Sequence, residues 1–129
     1  MLHLKAVHHI AIICSNYEAS KKFYTDVLGF TTAAEHYREQ RQSWKLDLKL
    51  GDRYWIELFS FPNPPKRVSG PEACGLRHLA FEVSDIEDAV NFLNAKHITP
   101  EAIRTDEFTG KRFTFFTDPD GLPLELYER

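Results

Sequence analysis

The chain has no apolar run approaching the length of a membrane-spanning helix, which excludes a helical membrane protein. It has no basic excess either. Its 16 Lys and Arg stand against 19 Asp and Glu, a formal net charge of -3 with the signs interspersed, so nothing offers a footprint for nucleic acid. Cysteine is scarce: Cys14 and Cys74 make neither a disulfide framework nor a CxxC metal motif. Cys14 falls in an apolar strand pattern and reads as a buried thiol, Cys74 as an ordinary loop cysteine. The segment Met1–Lys5 lacks the basic start, apolar stretch and cleavage site of a signal peptide. These absences lead us to expect a cytoplasmic protein with neither a membrane nor a nucleic acid as partner. What remains is 129 residues, 43% of them hydrophobic, enough for the packed core of one ordinary domain.

An internal repeat organises the chain. His8-His9-Ile10-Ala11-Ile12-Ile13-Cys14-Ser15-Asn16 aligns with Arg77-His78-Leu79-Ala80-Phe81-Glu82-Val83-Ser84-Asp85, and the register carries Phe23 onto Phe92. Near the ends of the halves, Trp55-Ile56-Glu57-Leu58-Phe59 matches Pro123-Leu124-Glu125-Leu126-Tyr127 with one residue of slippage. Each half reads as strand, helix, then three strands. The first half predicts strands over about 6–14, 31–38, 44–50 and 54–61, with a helix over 17–28 that starts at Ser15 or Asn16 and stops at Gly29. The second repeats the opening strand, then predicts a helix over 86–96 capped by Ser84 or Asp85 and strands over 103–105, 112–118 and 123–127. Gly51-Asp52 and Asp118-Pro119-Asp120-Gly121 are turns, and the Pro- and Gly-rich stretch 62–73 is a linker between modules 4–61 and 74–129. The expected fold class is α+β: a single domain over 1–129 of two tandem βαβββ modules, forming one curved mixed sheet with the helices outside and a concave face left open.

Strand alternation then decides which side chains share a face. Ile10, Ile12 and Cys14, with Leu79, Phe81 and Val83 in the repeat, belong against the helices. That turns His9 and His78 inward, beside the small Ala11 and Ala80. Ile56 and Leu58, like Leu124 and Leu126, also face helices, which turns Glu57 and Glu125 inward. A lone inward His is ordinarily a satisfied core residue, and a lone strand Glu ordinarily a solvated one. Two of each, at equivalent places in a repeat, point to a shared divalent cation, which takes imidazole nitrogen and carboxylate oxygen together. His8 aligns with Arg77 and falls on the opposite face, so it is left out, and His3, His36 and His97 have no repeat partners and read as surface residues.

These same residues resemble the vicinal-oxygen-chelate superfamily, which includes glyoxalase I, methylmalonyl-CoA epimerase, fosfomycin-resistance proteins, extradiol dioxygenases and bleomycin-resistance proteins. The resemblance runs through His9-Ile10-Ala11-Ile12, Phe23-Tyr24 to Leu28-Gly29-Phe30, Ile56-Glu57-Leu58, Gly75 to Phe81, and Asp118-Pro119-Asp120-Gly121 leading to Leu124-Glu125-Leu126. The ligand set His9, Glu57, His78 and Glu125 is most similar to that of a short bacterial glyoxalase I. The resemblance implies a lactoylglutathione lyase that isomerises the glutathione hemithioacetal of methylglyoxal. It also implies a homodimer in which His9 and Glu57 of one chain meet His78 and Glu125 of the other. Such a site holds one divalent ion, Ni²⁺ or Zn²⁺ before Co²⁺ or Mn²⁺. The alternatives are another metal enzyme of the superfamily (an epimerase, dioxygenase or thiol transferase) or a non-enzymatic binder of small molecules.

The lyase step moves a proton between adjacent carbons and needs positive charge beside the developing oxyanion. Glu125 is the expected base, with Glu57 serving the opposite face. Glyoxalase I commonly carries an inward Arg where this chain has Ile13, so glutathione's carboxylates would need other partners. Arg38 and Arg112 are candidates for anion contacts, and Trp55, Phe59, Phe113 and Phe115 for an apolar substrate pocket.

Overall fold

A computed structural model describes all residues, 1–129. It divides into two compact units, Met1–Pro65 and Lys66–Arg129, with the boundary inside the expected linker. Each unit is one βαβββ module, and together they give an α+β protein of two four-stranded mixed sheets and two helices.

In the first unit β1 covers Ile10–Cys14, α1 Tyr17–Lys22, β2 Thr31–Arg38, β3 Ser43–Leu50 and β4 Arg53–Ser60. In the second, β5 covers Leu79–Val83, α2 Ile86–Ala95, β6 Arg104–Thr105, β7 Arg112–Thr117 and β8 Pro123–Glu128. The strand orders are β1-β4-β3-β2 and β5-β8-β7-β6. The first strand of each unit runs parallel to the last, and the other pairs are antiparallel. The backbone ladders thus close within each module, where the sequence suggested one continuous curved sheet.

Local chemistry accounts for the helices. Of the two candidate caps in each half, Asn16 and Asp85 do the work: their side chains accept from the backbone N–H of Ala19 at 3.1 Å and of Asp88 at 3.0 Å. After Lys22 the first helix widens into a π-helical turn over Phe23–Val27. There the Thr25 hydroxyl donates to the Lys21 carbonyl at 2.8 Å, a back-bond of the kind that loosens the helical ladder. Gly29, at a φ of 79°, then ends the element.

The alternation read from the sequence is the alternation of burial. Leu46, Leu48, Ile56 and Leu58 are fully buried in the first unit, where α1 packs on β4. Leu124, Leu126, Phe116, Ile86 and Leu93 form the equivalent core where α2 packs on β8. Each such side chain contributes roughly 1.5–3 kcal/mol by leaving water. Trp44 shares the helix face of β3 and stacks on Tyr17 at 5.2 Å, while the Tyr17 hydroxyl donates to Glu35. Burial and the neighbouring Glu35 carboxylate push the Tyr17 phenol well above its ordinary pKa.

The opening strand is shorter than expected. β1 begins at Ile10, and Met1–His9 are exposed. Only β4 flanks β1 in the sheet, and its ladder with β1 starts at Ile56, so the chain before Ile10 has no ladder partner.

Candidate functional site

In the first unit, the parallel ladder sets Ala11 beside Glu57, and the antiparallel ladder sets Asp47 on its other side. The helix-facing neighbours Ile56 and Leu58 are buried, so Glu57 lies on the opposite face with Trp55 and Phe59. His9 Nε2 comes to 3.3 Å from Glu57 Oε2. The second unit repeats the arrangement. Ala80 and Phe115 flank Glu125 in the ladders, and His78 Nε2 lies 2.9 Å from Glu125 Oε2. Neither pair is sealed: the His9 and His78 side chains are 37% and 28% exposed, and those of Glu57 and Glu125 19% and 12%. A ligand from outside can therefore reach all four.

The donor spacings suit a metal. With metal–ligand bonds of about 2.1 Å, neighbouring donors on one ion stand about 3 Å apart. Each unit supplies two such donors, and no cluster of three or more His, Cys, Asp or Glu side chains placed to hold a metal forms in the chain.

His8 departs from its expected placement. The sequence reading sent it to the face opposite His9, but alternation does not govern residues ahead of the first strand. His8 Nδ1 lies 2.9 Å from His9 Nδ1, with the ring centroids 5.1 Å apart. When His9 donates from Nδ1 to His8, its Nε2 keeps a lone pair for a cation.

The other sequence candidates divide by face. Phe115 meets the His78 ring edge-to-face at 5.0 Å, and Phe113 packs against both Phe115 and Tyr127. Arg38 lies over the Phe59 ring at 4.8 Å and donates to Ser43 Oγ at 2.9 Å. Trp55 carries the Arg53 guanidinium over its ring at 5.9 Å. Arg112 does not join Phe113 and Phe115. It alternates to the other face of β7, where Glu128 holds it through two hydrogen bonds of 2.9 and 2.8 Å, with Glu87 of α2 at 3.8 Å. Arg112 and Glu128 each favour the other's charged form, so the guanidinium pKa rises and the carboxyl pKa falls. Arg112 is already neutralised and does not serve as the anion contact expected of it.

Residues 6–126 match the Glyoxalase/Bleomycin resistance protein/Dioxygenase superfamily. The chain belongs to this superfamily. It is 64% identical over 129 residues to the protein YaeR of Escherichia coli (strain K12), covering all of both chains. The solved structure of a glyoxalase family protein from Enterococcus faecalis is 53% identical, with a TM-score of 0.91, and the match covers 96% of this chain and 98% of that one. Other relatives bear activities in their names. A 2-epi-5-epi-valiolone epimerase from Actinomyces sp is 30% identical, covering 94% of this chain and 78% of that protein. The metallothiol transferase FosB of Staphylococcus haemolyticus (strain JCSC1435) is also 30% identical, covering 96% and 84%.

In this superfamily member the two His–Glu pairs do not have the same surroundings. On the β7 side of Glu125 the neighbours are aromatic, Phe115 and Phe113. Around Glu57 they are charged: Lys45 Nζ lies 2.6 Å from Asp47 Oδ1 and 3.8 Å from Glu57 Oε1. Its hydrogen bond to Asp47 raises the Lys45 pKa and keeps it charged. Neither Lys45 nor Asp47 was among the candidates read from the sequence. The signal was present in Lys45-Leu46-Asp47-Leu48-Lys49, whose polar positions alternate with buried leucines and so share the face of Glu57.

Proposed function

We propose that this chain is a metal-dependent enzyme of the lactoylglutathione lyase type, isomerising the hemithioacetal of methylglyoxal and glutathione. The observation that carries this reading is the repeated His–Glu pair, with donor atoms at 3.3 and 2.9 Å on corresponding strands. In this reading two copies associate, and His9 and Glu57 of one chain complete a four-ligand site with His78 and Glu125 of the second. The ion is Ni²⁺ or Zn²⁺, for which imidazole and carboxylate donors are suited. Cys74 is an exposed thiol, which suits a reducing compartment such as the cytoplasm.

A divalent ion there supplies positive charge that stabilises negative charge developing on a substrate oxygen. The protein does the rest. His9 and His78 hold the ion from the strand starts. Glu125 takes a proton from one substrate carbon and returns it to the next, with the Phe115 ring limiting water on its flank. Glu57 serves the other substrate face, where Lys45 adds a fixed positive charge. Ala11 and Ala80, the small neighbours of the two carboxylates, leave room for the substrate.

The test is lactoylglutathione formation by metal-free protein reloaded separately with Ni²⁺, Co²⁺, Zn²⁺ and Mn²⁺. Metal-dependent turnover that is lost in Glu125→Gln supports the reading. Absence of turnover with every ion that binds contradicts it. The epimerase relative favours a second reading, in which the same carboxylates remove and return a proton at one carbon beside a carbonyl. Deuterium uptake from D₂O into such a ketone, with no lactoylglutathione formed, would favour epimerisation. Thiol addition to an electrophile, without deuterium uptake, would favour a transferase.

A further inference from the structure

A cavity of about 280 Å³ opens beside His78, entirely within the second unit. Three guanidinium groups line it: Arg67, Arg77 and Arg104. Two are neutralised, Arg77 by Glu72 and Arg104 by Glu101 at 2.7 Å. Arg67 has no carboxylate partner. Its Nε donates to Ser69 Oγ at 2.9 Å, and its Nη2 to the carbonyls of Leu76 and Arg77 at 3.0 and 2.8 Å. A guanidinium tethered by three neutral acceptors is fixed in place while its charge stays uncompensated.

A fixed, uncompensated guanidinium in one small cavity calls for one kind of ligand. We infer that this cavity binds an anionic oxygen group of a small molecule, a carboxylate or a phosphate, with Arg67 as the residue that selects it. The inference rests on the metal reading above only in taking the molecule to be the substrate, whose reacting carbons then lie toward Glu125. Phe115 and the Arg104 guanidinium, stacked over it at 5.6 Å, form a flat wall beside the anion. The volume is at the small end for a ligand site, which admits a compact head group and little more.

The test uses the full chain, both stripped with chelator and loaded with Ni²⁺. Each form is titrated with inorganic phosphate and with acetate, followed by calorimetry and by amide NMR shifts at residues 67–78. One anion binding per chain in the stripped protein, weakened about tenfold or more in Arg67→Ala, is the expected result. Arg112→Gln, whose guanidinium is bound to Glu128, should leave the affinity unchanged. Arg67 also ties down the Leu76 and Arg77 carbonyls, so Arg104→Gln provides a second variant, expected to weaken the anion by a smaller factor. The tighter anion identifies the group as phosphate or carboxylate. Equal affinity in wild type and Arg67→Ala, no binding of either anion, or binding only with metal present would overturn the inference. Anion binding that persists in a chain taking up no divalent ion would support the cavity and defeat the metal reading alone.

Discussion

His78 Nε2 stands 2.9 Å from Glu125 Oε2 across the parallel pairing of β5 and β8, and the first unit repeats that relationship between His9 and Glu57. If these pairs are halves of one site, complementation between chains follows. His9→Ala and His78→Ala should each fail to retain metal as pure proteins. Unfolded together and refolded as a mixture, they should recover about one quarter of the wild-type sites, because half the dimers are mixed and each of those has one intact site. Metal content after gel filtration measures this. No recovery in a mixture that does form dimers would refute a shared site.

Lys45 is the charge that opposes a cation beside Glu57. Replacing it by Met removes that repulsion and frees Asp47. Divalent ions should then bind about tenfold more tightly, a change of about 1.4 kcal/mol and within reach of a charge some 4 Å away near a surface. Turnover should fall at the same time if Lys45 helps to hold negative charge on the substrate. Calorimetric titration of the variant measures the first effect; unchanged or weaker metal affinity would contradict it.

The β7–β8 turn supports the strand that carries Glu125. Asp118, buried at 5% exposure, accepts from the backbone N–H groups of Asp120 and Leu122, each at 2.9 Å. Asp118→Ala leaves both donors without that carboxylate and should cost about 1–3 kcal/mol in a denaturant titration. Leu124→Ala, in the core beneath the same strand, should cost about 2–5 kcal/mol.

Acid should weaken the protein through Glu35 and Glu128, whose folded pKa values lie below the ordinary 4.5. Hydrogen bonds from Lys21 and Tyr17 lower the first, and those from Arg112 lower the second. Groups of this sign stabilise the folded state when ionised. Their contribution is complete above the unfolded value and disappears as pH falls through the folded one. Glu128→Gln should therefore be less stable than wild type at neutral pH, and the difference should shrink as pH drops below about 4. A Tm difference that does not change with pH would show that the pair acts through packing alone.

The repeat made most of the fold legible. Leucine, isoleucine and charged residues alternate through the middles of β3, β4 and β8, so strand limits and buried faces follow there within a residue. The helices were equally open, because Asn16 and Asp85 are strong caps. Alternation could not be extended to His8, because an unpaired chain ahead of β1 is not held to a strand's period. Arg112 was legible too: the alternation that sets Phe113 and Phe115 on one face of β7 sends Arg112 to the other, where Glu128 and Glu87 hold it. The Arg67 cavity was also beyond reach, since it is built by a linker without periodicity folding back over the start of β5.

A metal site built from His9, Glu57, His78 and Glu125 is tested by the divalent metal content and affinity of purified wild-type protein, His9→Ala, Glu57→Gln, His78→Ala and Glu125→Gln, with circular dichroism confirming the fold of each. One ion per chain is expected in wild type, with a loss of affinity of at least about 100-fold in every variant, since removing a ligand costs more than disturbing its supporting residues. Unchanged stoichiometry and affinity in the folded variants would contradict it, and the His–Glu pairs would then be ordinary ion pairs on an open sheet face.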